Sequence, residues 1–418
     1  MNLLFLTIDL PDLSKEGGDL YADLIRELVD AGHTVTVFAP ALPSQKTGIY
    51  FEYTARVLRI KNKEFVGNYP FYQKIYGIMS LTFKYKYYYN KYFGSESFDW
   101  IIMPTPPASL VDVVKPIMNK SGAKFYILLR DIQPECRERA LPIVPHDTKD
   151  VYPECMKTFH TNIVMKKYLY RKAQEGYKLA NIIGCMSKAN MDFVKLIAPY
   201  VKEESIKLLP NWYREVPNIS NDKETEIREK YGLNNKFVAI FGGTITQAQA
   251  VWNIAALAKH NLDKEDVVIL VVGRGSHKAV LERMVKQNNL SNVRFLNFMP
   301  RDDFEQILRL SDLGIISLDE KYKVPTCPSK IIGYMALKIP VLAMFNEGND
   351  YGEYYMGGNI CGLWSTGRND EKMFANFEWF YNHPIERKQM GLNGYEYFKK
   401  NFDSKVVCEE LCKQLEDA

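Results

Sequence analysis

No stretch of this 418-residue chain stays apolar for the roughly 18 residues that a membrane-crossing helix needs. Its first residues, MNLLFLTIDLPDLSKEGG, lack the basic start and long apolar core of a secretory signal. The seven cysteines include no C-x-x-C pair, which argues against a disulfide framework or a thiolate zinc site. They read as free thiols in a reducing compartment. The six histidines show no metal-ligand spacing, so no metal site is expected. Net charge is scarce too: 54 Lys and Arg against 50 Asp and Glu leave +4, too little to imply a nucleic-acid partner. The chain therefore reads as cytoplasmic, or as seated on the inner face of the cell membrane.

What is present is a globular composition, 46% hydrophobic and 25% charged, in a chain long enough for two domains of roughly 200 residues. Apolar, β-branched runs at 3–9, 34–39, 100–103, 125–129 and 182–185 alternate with amphipathic stretches near 19–31, 107–119, 161–180 and 187–197. A second series follows: runs at 237–241, 267–272, 293–298, 313–317 and 340–344, with helical stretches near 248–260, 276–288, 302–311 and 328–337. Such alternation builds an α/β fold of parallel sheets covered by helices on both faces. Continuous apolar strands such as VVILVV agree with sheets buried on both sides. The polar stretch around 218–229 separates the halves. Two doubly wound domains facing a cleft are predicted, with ligands beyond the carboxyl ends of the strands.

Glycines stand where strands end. Gly17-Gly18 follow the first strand, Gly242-Gly243-Thr244 follow FVAIF, and Gly273-Arg274-Gly275 follow VVILVV. Glycine lets a backbone approach a ligand closely, although such a pair also serves simply to make the turn. The full G-x-G-x-x-G spacing is missing from the first two turns. Near the end of the second half, Pro328-Ser329-Lys330 reads as a helix start, with proline in the first turn. Free N–H groups there favour an anion, Lys330 adds a full charge and Ser329 a hydroxyl. Together these features point to a nucleotide.

The collinear series GGDLYADLIRELVDAGHTVTVFAP, LLRDIQPE, CMSKANMDFV, LLPNWYRE, FGGTITQAQAV, VVGRGSHKAVLE and CPSKIIGYMALKIPVLA resembles the retaining GT-B glycosyltransferases of family 4. Within that family it is most similar to bacterial enzymes that transfer amino-sugars in O-antigen or capsule assembly. The resemblance implies two Rossmann-like domains: an acceptor-binding one at 1–212, a nucleotide-sugar-binding one at 213–385, and helices at 386–418 that return to the first. It implies retention of anomeric configuration, no metal and no cofactor, the nucleotide-sugar (a UDP-sugar is favoured) being a substrate. The donor residues it implies are Gly17, Gly18, Gly243, Thr244, Gln247, Gly273, Arg274, Ser329, Lys330 and Glu353. Lys330 and Asp131 are the catalytic pair, with Asp131 and Glu135 on the acceptor side. An Asp at 131 also suits a simple turn cap or a partner for Arg130. Asn211, in LPNWY, is a positioning residue. The chain departs from the family where two glutamates eight apart are common, since those positions fall on Pro325 and Gly333. Glu353 or Glu347 is then left to meet the ribose.

Residues 69–93 hold ten aromatics and four lysines between Phe71 and Phe93 and no acid. That composition suits a helix lying in a bilayer interface, and so an acceptor carried on a lipid. It also suits a core helix with a tyrosine-rich packing face. Two rivals share the fold: a nucleotide-sugar 2-epimerase, and a non-catalytic binding subunit.

Overall fold

The computed structural model describes residues 1–15, 17–63, 71–132, 163–320, 324–346, 348–366 and 369–418. The chain divides into two compact units at Pro210 and Asn211. The first unit begins with β1 (Asn2–Leu6), α1 (Leu20–Asp30), β2 (Thr34–Pro40), β3 (Gly48–Glu52), β4 (Ala55–Ile60) and α2 (Phe71–Tyr92). It continues through β5 (Trp100–Thr105), α3 (Val111–Ser121), β6 (Lys124–Leu129), α4 (Ile163–Leu179), β7 (Ile182–Cys185), α5 (Lys188–Ile197) and β8 (Ile206–Leu208). The sheet order is β3-β4-β2-β1-β5-β6-β7-β8, parallel except for β3. Asp19 and Ser187 accept N–H bonds as the caps of α1 and α5.

The β3–β4 hairpin escapes the sequence pattern for a local reason. Its turn places Tyr53 and Thr54 at φ 48° and 61°, where glycine or asparagine is the usual signal. In β4, Arg59 is fully buried, its guanidinium held by Glu52 at 2.6 Å and by the carbonyls of Leu10 and Pro11, both at 2.7 Å. A buried arginine breaks the apolar alternation that marks a strand.

The second unit contains α6 (Asn221–Lys230), β9 (Phe237–Thr244), α7 (Val251–His260), β10 (Val267–Arg274), α8 (Lys278–Gln287), β11 (Val293–Leu296) and α9 (Arg301–Leu308). It goes on with β12 (Leu313–Ser317), α10 (Lys330–Ala336), β13 (Val341–Phe345), α11 (Tyr351–Tyr354), β14 (Gly362–Thr366), α12 (Asp370–Asn382) and α13 (Pro384–Asn401). Its six strands are all parallel, in the order β11-β10-β9-β12-β13-β14. One side of the sheet packs Phe241, Val271 and Leu342 against Ile254, Leu281 and Phe377.

The sequence boundary at 385 falls inside α13, which stays with the second unit; only from Ser404 does the chain rejoin the first. There α14 (Ser404–Glu416) is tied down at both ends. Ser404 donates to Glu27 at 2.6 Å, Trp100 donates to the Leu415 carbonyl at 3.1 Å, and Tyr126 donates to Gln414 at 2.7 Å. No described helix is long and apolar enough to cross a membrane. The cysteines at 185, 327, 361, 408 and 412 are free thiols.

Candidate active site

In the second unit the strand order reverses between β9 and β12. The chain runs outward from β9 to β11, returns to β12, and continues the other way. In open parallel sheets this switch point, at the carboxyl ends of the strands, is where a crevice forms and ligands bind. Here β9 ends in Gly242-Gly243-Thr244 and β12 in Ser317, after which the chain leads to α10.

Tyr334 seats α10 on both strands. Its ring packs on Gly314 of β12, where an added Cβ would lie 2.5 Å from it. Its hydroxyl meets the Gly242 N–H and the Ile240 carbonyl, each at 3.3 Å. One helical turn earlier, on the same face, Lys330 is thereby carried over β9. Its ammonium lies 4.3 Å from the Phe241 ring centroid and donates to Oε1 of Gln249 at 2.7 Å. Burial pushes this ammonium down to about 7. Among the described residues no carboxylate is paired with it. The glutamine bonded to this cation is Gln249; Gln247 opens the short helical turn 247–249.

The helix start differs from the sequence reading. α10 begins at Lys330, Ser329 is its cap residue, and Pro328 lies outside the helix, so the first-turn argument for proline does not apply. The Ser329 side chain makes no capping bond. Side chains pin the preceding loop: Asn211 donates to the Cys327 carbonyl at 3.0 Å, Asn349 to that of Thr326 at 3.0 Å, and Tyr351 to that of Pro328. Asn211 is thus a positioning residue within the second unit. Glu353 sits exposed on α11, two residues beyond Tyr351; Glu347 lies outside the described residues. At Gly333 an added Cβ would come within 3.2 Å of the Tyr213 ring, a tight contact that a side chain there would relieve only if the ring gave way slightly.

The glycine turns serve different ends. Gly273 faces Gly243 across the β9–β10 ladder, where a Cβ would meet the Gly243 carbonyl at 1.9 Å; the requirement is strand against strand. Gly243, at φ 99°, has open space where a side chain would project, which leaves room for close approach. Arg274, paired with Thr244 in the ladder, lays its guanidinium 4.0 Å from the ring of Phe298, itself 58% exposed. β11 stops at Leu296, so Phe298 belongs to the following loop and not to the strand predicted at 293–298.

In the first unit, β1, β5 and β6 are neighbours. Gly17 and Gly18 lie in the loop after β1, at φ 79° and 116°, and Arg26 wraps that loop through the carbonyls of Leu13, Lys15 and Gly17. Asp131 follows β6, its N–H bonded to the Thr105 carbonyl at 3.2 Å. It lines a shallow pocket with Thr105, Ile127, Lys172 and Tyr177. The buried Thr105 hydroxyl has no partner among the described residues. Burial pushes the Tyr21 hydroxyl up; Arg130 opposes this, while Asp19 and Asp131 add to it, so these groups share one electrostatic neighbourhood. Tyr21 and Asp19 lie in the stretch GGDLYADLI, where the sequence reading names only the two glycines as site residues. Glu135 lies outside the described residues.

Residues 223–397 match the family profile described as Glycosyl transferases group 1. The match spans 175 of the 418 residues, less than half of the chain. It contains the Gly243 turn, Arg274, Lys330 and Glu353. A sequence relative is WcaI of Escherichia coli K12, named for glycosyl transfer in colanic acid biosynthesis, 25% identical over 159 residues. The match covers 37% of this chain and 38% of WcaI, well under half of either. Solved structures are similar over the whole chain. Sucrose-phosphate synthase of Thermosynechococcus elongatus has a TM-score of 0.74 at 12% identity, covering 98% of that chain. HepE of Anabaena, solved with UDP and glucose, has 0.70 at 16%, and WaaG, a glycosyltransferase of lipopolysaccharide biosynthesis, 0.64 at 13%, each covered in full. These likenesses identify the fold as GT-B, built of two Rossmann-like units.

Proposed function

We propose that this chain is a glycosyltransferase that moves a sugar from a nucleotide-sugar donor to a glycan acceptor in bacterial surface polysaccharide synthesis. The observation that carries the reading is Lys330, a half-buried ammonium at the switch point of the second unit's sheet, within the stretch that matches the group 1 profile, and bonded to a neutral amide. A cation held this way is stabilised by an incoming anion, and a diphosphate supplies that charge. As the glycosidic bond breaks, negative charge grows on the leaving diphosphate while the sugar takes on oxocarbenium character. Lys330, the Ser329 hydroxyl, Thr244 and the N–H groups of the Gly243 turn offset that growing charge without waiting for solvent to reorganise. In this reading no metal is needed. Arg274 on Phe298 provides a second cation and a flat face for the base, and Glu353 an acceptor for the ribose.

Asp131 orients an acceptor hydroxyl or takes its proton. A UDP-sugar is the favoured donor because HepE has been solved with UDP and with UDP-glucose. An N-acetylated amino-sugar, retention of configuration and a lipid-linked acceptor follow from the family resemblance. A lipid-linked acceptor places the chain at the inner face of the cell membrane.

Thermal unfolding with UDP, GDP, dTDP, ADP and NAD in parallel tests the donor reading. A ligand at about 100 times its dissociation constant adds roughly 2.7 kcal/mol of stability. UDP alone should shift the transition. No shift with any of the five would favour a non-catalytic subunit. Epimerised nucleotide-sugar released without acceptor would mark the 2-epimerase instead.

A further inference from the structure

Helix α2 has two faces of different kind. Leu81, Tyr85 and Tyr89, with Phe93 just beyond the helix, are buried; the rings of Tyr85 and Phe93 meet Phe38 at 5.6 and 5.2 Å. The Tyr85 hydroxyl donates to the Thr7 carbonyl at 2.5 Å. This face fixes the helix on the sheet, which answers the core-packing reading of the segment. On the other face stand Tyr72, Tyr76, Met79, Phe83 and Tyr87, each between 54 and 74% exposed. Their steps of three and four residues make one stripe, roughly 22 Å long at about 1.5 Å per residue. Isolated exposed apolar residues carry no message, but a continuous stripe marks an interaction surface.

Charge selects the occupant. Helix α2 contains no acid. Lys86 lies roughly 60° to one side of Phe83 and Lys91 roughly 80° to the other, at about 3.6 residues per turn. Lys91 is exposed, lying against the rings of Tyr88 and Tyr92 at 6.0 and 5.1 Å. Lys84 is turned inward, to the Lys61 carbonyl and the Asn62 side chain at 2.9 and 3.0 Å. The stripe itself is mostly tyrosine, with a ring for the acyl boundary and a hydroxyl for the headgroups. Cations at both borders then meet anionic headgroups.

We propose that this face of α2 docks the chain on a membrane surface carrying anionic lipid, with the helix axis in the membrane plane. The inference deepens the lipid-linked acceptor reading above, yet vesicle binding requires neither donor nor acceptor, so either can fail alone.

The test is sedimentation of the 418-residue chain with phosphatidylcholine vesicles, with and without phosphatidylglycerol, at low and physiological salt. Binding should require phosphatidylglycerol and weaken with salt. A Phe83→Trp variant, at an exposed site, places an indole on the stripe whose fluorescence brominated acyl chains should quench. The triple variant Tyr76→Ser/Phe83→Ser/Tyr87→Ser should lose binding by about tenfold or more while keeping its UDP-dependent thermal shift. No sedimentation in any condition would overturn the proposal. So would binding that the triple variant retains, an indole left unquenched when the Phe83→Trp variant is bound to vesicles, or a stable dimer of the chain that the triple variant dissolves. Should the triple variant fail to fold, the quenching seen with Phe83→Trp decides alone.

Discussion

The ammonium of Lys330 and Oε1 of Gln249 lie 2.7 Å apart, a half-buried cation bonded to a neutral amide. Coulomb attraction repays the burial of a charge only when a counter-charge is near. Here the group instead loses basicity, to about 7. A lysine near 10.5 in the unfolded chain binds more protons there than in the folded state between about pH 7 and 10.5. Stability from this group therefore rises with pH across that window and is lowest, and flat, below pH 7. Lys330→Met should raise the unfolding temperature of the ligand-free protein by several degrees at pH 6, and the gain should shrink towards pH 10. A variant less stable than the parent at pH 6 would contradict the burial argument.

Gly314 is the floor on which Tyr334 rests. Gly314→Ala places a methyl about where the ring now lies, 2.5 Å away. Overpacking of this kind costs about 1–3 kcal/mol, and it also tilts the helix that carries Lys330. Chemical denaturation and UDP titration of the same variant should both worsen. Lost stability with UDP affinity unchanged would show that Tyr334 does not position the site.

In the other unit, Glu52 and Arg59 form an ion pair with both side chains nearly inaccessible. Removing one charge leaves the other uncompensated, at about 3–5 kcal/mol. Glu52→Gln should therefore unfold at markedly lower denaturant, whereas the exposed pair Lys195–Glu203 should tolerate Glu203→Gln with little change. Equal effects at the two sites would be inconsistent with the burial seen here.

Asp131→Asn keeps the shape of the loop after β6 and removes the charge. If Asp131 handles an acceptor proton, turnover should fall by about 100-fold, and the UDP thermal shift should stay as in the parent. Full turnover in this variant would return Asp131 to a turn residue.

The fold was legible where strands are long, apolar and buried on both faces, as FVAIF and VVILVV are in β9 and β10. It was not legible at β3 and β4, because their turn uses Tyr53 and Thr54 and β4 turns Arg59 inward. At the candidate site, Lys330 and the Gly243 turn stand out in sequence by residue type alone. Gln249, Phe241 and Phe298 do not, since their roles come from how α10 and the loop after β11 fold over the strand ends. The helix start was read two residues early because proline favours a first turn, whereas the pinned loop 324–328 delays it to Lys330.

Calorimetric titration of UDP into the parent and Lys330→Met proteins, each at pH 6.5 and 8.5, tests the central claim most directly. Above about pH 7 the parent must take up a proton to bind, so its affinity should fall by up to about tenfold per pH unit. Lys330→Met should bind roughly 10- to 100-fold more weakly at pH 6.5, the loss of a charged hydrogen bond, and should lack the proton uptake. Equal affinity in the two proteins, with the same pH dependence, would remove Lys330 from the nucleotide site.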